Sequence, residues 1–524
     1  MAAPLTPSTI NQTSLAAIVG AAVKNVQFVP SANVLPRKIL LIGTYDPSLN
    51  PGIAKNTPVL VTSPEEVAAA YGRGFLLHRM AIASFAGSQG VETWVAPQDE
   101  EGAAVAATGD FTIGGIDADE SGTLHMYIAG DYVPVTIAKG DTAAEIATAA
   151  AAAINANLDL PVTAAVNGGV PEQVDVTAKS KGLYGNFISM EVNLGFQQKL
   201  PFPITFSRTN LSGGSGVPDV TSVLGQLGQG DLQNADFFTD VNHGYPGDTT
   251  TWDLLSAYNG EGNDFTGNYS KTVSRPFRVL DGSTENSLNT LVTLGDSRKQ
   301  DRTNGLLTIP QSPSHPTEFA CLAMGIEAAT NNNRAEESYI GKILPGVWPG
   351  GLSEWNSQYS GRDTALKAGI SPTLVEGGAV VLQNVATFYH PDNVPVDSNG
   401  YRSQRNISII QNLLFNVKLN FSQEKWQSIT IVDDVTKVSN TVDREKAKDV
   451  DAVIDDLVAL ATAFEGNAWI FSAGFTVSKL QEGGLVVIRP GGTGFNTTLP
   501  VVLSGEGGIF DNIIQFDTSL AVFF

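Results

Sequence analysis

With 524 residues the chain is too long for one ordinary hydrophobic core, so about two to four domains are expected. Hydrophobic residues make up 42% and charged residues only 16%, and 31 basic against 53 acidic residues give a formal net charge of −22. That surplus excludes direct binding to a phosphate backbone or to an anionic membrane surface. Cys321 is the single cysteine, so no disulfide framework or thiolate metal site can form within one chain. In a predicted helix over residues 316–330 it reads as a buried small hydrophobe.

Residues 1–36 hold four prolines and no acidic residue. Lacking strong periodicity, they read as an extended N-terminal arm that lies on something else. The chain starts without the basic segment of a secretory signal. The alanine-rich run at 143–153 is too short and too weakly apolar to span a bilayer. Retention in the cytoplasm until assembly is therefore expected.

Residues 37–102 read as an α/β unit. Lys38, Ile39, Leu40, Leu41, Ile42 and Gly43 form a buried strand that stops at glycine, and Val59, Leu60, Val61 and Thr62 form another. Ser63 can cap a following helix, Pro64 suits its first turn, and Glu66 can reach back to complete a capping box. A helix over 75–85 and a strand over 92–96 complete the unit.

Between 103 and 204 the texture becomes that of an inserted, β-rich α+β domain. Residues 123–128 and 132–137 alternate as a hairpin turning at Gly130 and Asp131. Thr142 and Glu145 form a capping box for a helix with Ile146, Ala150 and Ile154 on one face. Strands are expected at 162–166, 174–178 and 188–193.

The α/β pattern resumes over 205–400, with strands at 235–241, 277–280 and 305–310 that continue the sheet begun near Lys38. Within 401–507 one clear helix is expected, over 443–464, with Ala447, Val450, Ile454, Leu457, Ala461 and Phe464 at helical spacing. Strands follow at 485–488 and 498–503. Residues 508–524 read as a C-terminal strand, apolar up to the carboxylate. A free end is usually polar and frayed, so this one is expected to be held by a sheet.

The sequence offers little chemistry. Its five histidines are scattered, with no i,i+4 pair and no HExxH. There is no phosphate loop and no GxSxG elbow. No catalytic, cofactor-binding or metal-ligating residue is assigned. Asp117, Asp119 and Ser121 start like a calcium loop, but Ile128 stands where a bidentate glutamate is needed, so a solvated acidic turn is the better reading. Asp449, Asp451, Asp455 and Asp456 share one helix. Asp451 and Asp455 lie four residues apart, and an acid pair for glycan hydrolysis is the alternative to a wet helix face.

The layout itself carries more. Residues 37–43, followed by 58–63 and the helix with Tyr71 and Gly72, make one matching segment. Residues 305–310 with 366–372 make a second, and 378–389 a third. In order along nearly the whole chain, these resemble the contractile tail sheath proteins of Mu-like bacteriophages. Family members often carry arginine at the position of Gln383 or Asn384, and Phe388 replaces a threonine.

The resemblance implies a sheath core at 37–102 and 205–400, a C-terminal sheath domain at 401–507, and two arms. It implies hexameric rings of this chain stacked around a tail tube, between a baseplate and a tail terminator. They would be assembled in the host bacterial cytoplasm, become part of the virion tail, and contract to drive the tube through the envelope during genome delivery. It also implies that the arms lend strands to neighbouring subunits. The C-terminal donor would use Asn512, Ile513, Ile514, Phe516, Leu520, Val522, Phe523 and Phe524. The N-terminal one would use Leu5, Ile10, Leu15, Ile18 and Val19, with residues 468–477 in the receiving sheet. A non-contractile tube subunit would be shorter and mostly one β-fold.

Overall fold

The computed structural model describes residues 32–49, 52–115, 117–227, 237–260, 266–351, 354–392 and 400–507. The fold is mixed α/β with several sheets.

The chain opens with β1 (Lys38–Thr44), β2 (Val59–Val61), α1 (Pro64–Tyr71), α2 (Leu76–Ser88) and β3 (Glu92–Gln98). Ser63 caps α1 by accepting from the Glu66 N–H. The return bond of the expected capping box falls one residue early, because the Glu66 carboxylate accepts from Thr62 N–H at 2.8 Å.

From 108 to 212 the chain forms β4 (Thr108–Gly114), β5 (Gly122–Ile128), β6 (Asp131–Ile137), α3 (Ala143–Ala156), β7 (Val162–Val166), β8 (Gln173–Ala178), β9 (Met190–Val192) and β10 (Thr205–Ser212). The strands pair antiparallel as β10-β4-β8-β7 and β6-β5-β9. The Thr142 box on α3 has both of its bonds. Ile146, Ala150 and Ile154 are buried with Phe111, Val135 and Val176.

After α4 (Thr221–Gln226) the chain rejoins the first sheet. There follow β11 (Asp240–His243), α5 (Thr249–Asn259), β12 (Arg278–Ser283), α6 (Leu288–Asp296), β13 (Asn304–Thr308), α7 (Pro316–Asn333), β14 (Ile343–Leu344), α8 (Glu354–Ser357), α9 (Tyr359–Lys367), β15 (Ile370–Glu376) and β16 (Ala379–Leu382). The nine strands lie in the order β14-β16-β15-β13-β12-β11-β1-β3-β2. The central ones, from β3 through β15, are parallel. Ile39, Leu40, Leu41 and Ile42 are fully buried, as expected for a parallel strand covered on both faces. Leu307 packs with Phe319 and Leu322 of α7, whereas its neighbour Leu306 packs with Trp252 of α5 and Leu291 of α6. Cys321 is fully buried in α7. The helices α2 and α7 approach closely because Gly87 and Gly325 face each other's backbones. A Cβ on Gly87 would lie 2.4 Å from the Leu322 carbonyl oxygen.

The C-terminal region departs most from expectation. Helix α10 (Gln404–Phe421) was not anticipated. The expected helix over 443–464 is divided into α11 (Thr441–Lys446) and α12 (Val450–Gly466). Between them, β18 (Ala447–Lys448) pairs with β17 (Thr430–Ile431), and Asp449 caps α12 by accepting from Ala452 N–H. Residues 468–477, expected in a receiving sheet, instead enter α13 (Ala473–Gln481) after a single bridge between Ile470 and Leu503. Within the expected strand at 498–503, that bridge is the only strand-like pairing. The hairpin that forms there is β19 (Val486–Ile488) with β20 (Phe495–Thr497).

Candidate functional site

Leu5, Ile10, Leu15, Ile18, Val19, Asn512, Ile513, Ile514, Phe516, Leu520, Val522, Phe523 and Phe524 all lie outside the described residues. The site that can be built is formed by the described residues that adjoin them, 32–37 on one side, called here the N-terminal root, and 499–506 on the other, the C-terminal root.

At the N-terminal root, residues 32–37 run along α10. Asn416 accepts from Asn33 N–H at 2.8 Å and donates to the Asn33 carbonyl at 2.8 Å. One turn earlier, Asn412 accepts from Leu35 N–H at 2.7 Å. One turn earlier again, the Arg37 guanidinium donates to Ser408 Oγ and Gln411 Oε1. Gln411 in turn donates to the carbonyls of Thr239 and Pro276, both at 2.9 Å. This places α10 against the amino ends of β11 and β12.

Beneath Arg37 lies a buried ionic cluster. Arg278 on β12 meets Asp240 on β11 at 2.5 Å and Glu327 on α7 at 3.0 Å, all fully buried. The Tyr339 hydroxyl accepts from Arg278 at 2.5 Å. Burial lowers the Arg37 pKa to about 10, with Asp240 pulling the other way. Burial likewise opposes the charge on Arg278, but Asp240, Tyr339 and Glu327 outweigh it and its pKa rises. Glu327 is pushed up to about 7 by burial, against the pull of Arg278. When Glu327 is ionised, Asp240 and Glu327 balance the two guanidiniums within the buried cluster.

The C-terminal root is held nearby. Arg405, at the start of α10, donates to the Ser504 carbonyl and hydroxyl, both at 2.8 Å. Ser504 N–H donates to the Trp469 carbonyl at 3.1 Å and Phe471 N–H to the Val502 carbonyl at 2.7 Å. Glu506 accepts from Ser338. One apolar cluster takes in both roots: Ala32 and Val34 from one, Leu499, Val501 and Leu503 from the other, around Leu413, Leu457 and Trp469. Phe471 (74% exposed), Phe475 and Val502 stay exposed beside this pairing.

The other candidates are placed differently. Asp451 and Asp455 are exposed on α12. Asp456 accepts from Lys425, Trp426 and Asn420; burial opposes its charge, but these bonds hold its pKa below the usual carboxylate range. Asp456 therefore fixes a helix, and the acids do not converge on a cleft. In a sheet of this kind ligands bind at the carboxyl ends of the strands, where the order reverses, here between β1 and β11. That position is filled by protein. A Cβ on Gly244 would lie 2.4 Å from Leu76 of α2, and the Tyr245 hydroxyl donates to Gln98 at 2.8 Å. Among the described residues, no group of three His, Cys, Asp or Glu side chains could hold a metal ion, and no helix is long and apolar enough to cross a membrane.

No protein-family model matches the chain. A curated relative, the Mu-like prophage FluMu tail sheath protein of Haemophilus influenzae, is 24% identical over 409 residues, covering 76% of this chain and 78% of the relative. The chain resembles a Mu-like tail sheath protein. Among solved structures, the sheath tail protein of Desulfitobacterium hafniense matches at a TM-score of 0.41 with 10% identity, over 87% of this chain and 92% of that one. A chain of the contracted anti-feeding prophage baseplate matches at 0.41 with 12% identity, over 96% and 99%. The similarity to a Mu-like sheath rests on the sequence match, which extends over three quarters of the chain. Sequence reasoning missed the amides of α10. The spacing of Gln404, Ser408, Asn412, Asn416 and Asn420 was the available signal.

Proposed function

We propose that the chain is the structural subunit of a contractile bacteriophage tail sheath. The observation that carries this is the convergence of both arm roots on α10, together with the similarity to a Mu-like sheath protein. Copies of the chain form stacked hexameric rings around a tail tube, bounded by baseplate and tail terminator, within a virion tail assembled in the host bacterial cytoplasm. The core comprises residues 37–102 and 213–400, with an inserted domain that begins at 103 and runs past the expected 204 to Ser212, because β10 pairs with β4, and with 401–507 as the C-terminal domain.

The arms at 1–36 and 508–524 lend strands to neighbours. Backbone hydrogen bonds then survive while the bodies slide, and alternate side chains fill pockets. Energy for contraction lies in the difference between two packings of the same bodies, so no nucleotide is required.

Negative-stain electron microscopy of the purified chain with a tail tube tests the proposal. Long tubes of stacked rings are expected. Removing residues 508–524 is expected to leave a folded subunit that forms none, and normal polymerisation of that truncation would defeat the donor-strand assignment.

A further inference from the structure

Helix α10 buries a polar face. Gln404, Ser408, Gln411, Asn412, Asn416 and Asn420 are each no more than 2% exposed. Buried amides are costly unless bonded. Two of these, Asn412 and Asn416, are satisfied by the backbone of the arm root. Asn416 exchanges a donor and an acceptor with Asn33, as the next strand of a sheet would, and Asn412 accepts from Leu35.

The two repeats match in length. Two residues of extended chain advance about 6.6 Å, and four residues of helix advance about 6 Å. Positions 33, 35 and 37 therefore meet successive turns of α10 at 416, 412 and 408, with the chain running antiparallel to the helix. One turn further toward the helix start, Arg405 holds Ser504 of the other root.

Resting on the sheath reading, we propose that α10 is a two-ended clamp against which both arms pull. Asn412 and Asn416 are positioning residues that grip the N-terminal root by its backbone, and Arg405 grips the C-terminal root by Ser504. Load entering one arm then passes to the other along a single helix, and the nine-stranded sheet is spared shear. Because the amides read backbone, the grip depends on the N–H groups of Asn33 and Leu35 and tolerates changes in the exposed side chains of Asn33 and Pro36.

The test is hydrogen exchange on the full chain, followed by mass spectrometry. In Asn412→Ala/Asn416→Ala, exchange protection over residues 32–37 is expected to fall about fivefold to tenfold, with β11, β12 and β13 unchanged. Unchanged protection over 32–37 in the double variant would overturn the clamp. Should the double variant lose protection throughout the sheet, Leu35→Pro decides. It removes the N–H that Asn412 accepts from together with the buried Leu35 side chain, so full protection of Asn33 even in this variant would also overturn the clamp. Exchange needs no tubes, so a chain that loses protection as expected yet never polymerises on a tail tube keeps the clamp and counts against the sheath reading alone.

Discussion

The nine-stranded sheet and the C-terminal layer around α10 are held by different means. In the sheet, β1 contains a run of four fully buried aliphatic residues, and the adjacent leucines of β13 serve the two faces. In the C-terminal layer, α10 turns asparagine, glutamine and serine inward and is located by hydrogen bonds as much as by its apolar side. Apolar burial is strong but undirected and is satisfied by many packings. Buried amides are satisfied only in one register. The sheet is therefore packed by apolar burial, and the layer on its amino edge sets the register of residues 33, 35 and 504 by hydrogen bonds.

Breaking the joint between the two regions should have the largest effect. Arg278→Met strips Asp240 and Glu327 of their shared partner inside the fold, and a loss of about 3–5 kcal/mol is expected in urea unfolding. A loss below about 1 kcal/mol would mean that the cluster is not the joint.

Glu327 sharpens the comparison through pH. Its folded pKa of about 7 lies above its ordinary 4.5. A raised pKa means that the folded state holds the proton more tightly, so its contribution is full below about 4.5 and is lost as pH rises through about 7. His315, lowered to about 3 by burial, acts in the opposite sense, losing stability as pH falls below its ordinary value. The difference between variants isolates the glutamate. Glu327→Gln is expected to gain stability relative to the unsubstituted chain as pH rises across that window. A difference independent of pH would show that Arg278 keeps Glu327 ionised throughout.

The smallest effect is expected on the wet side of the C-terminal layer. Asp451→Asn and Asp455→Asn should each shift unfolding by no more than about 0.5 kcal/mol. Neither should alter tube formation. Glycan hydrolysis that is lost in Asp455→Asn would instead revive the acid-pair reading.

What was legible in the sequence followed from local chemistry. The aliphatic run of β1, the Thr142 and Glu145 box of α3 and the alternation of β5 and β6 each declare themselves within a few residues, because their partners are covalently near. The same locality made Asp451 and Asp455 of α12 readable as exposed, whereas Asp449 and Asp456, expected on the same wet face, are drawn into the fold by bonds to Val435, Trp426 and Asn420. Three features were decided only by tertiary structure. Helix α10 escaped notice because its buried face is polar, and hydrophobic periodicity is blind to amides whose partners lie 377 and 383 residues away. The division of the expected helix at Asp449 depends on Val435, whose N–H the same carboxylate accepts at 2.9 Å. The filling of the carboxyl end of the sheet by Leu76 arises only when α2 folds back over Gly244. By itself, the sequence determined the apolar elements and their caps, which are short-range and additive. Which polar groups would meet was left to the assembled fold, because a hydrogen bond needs both partners placed to within a fraction of an ångström.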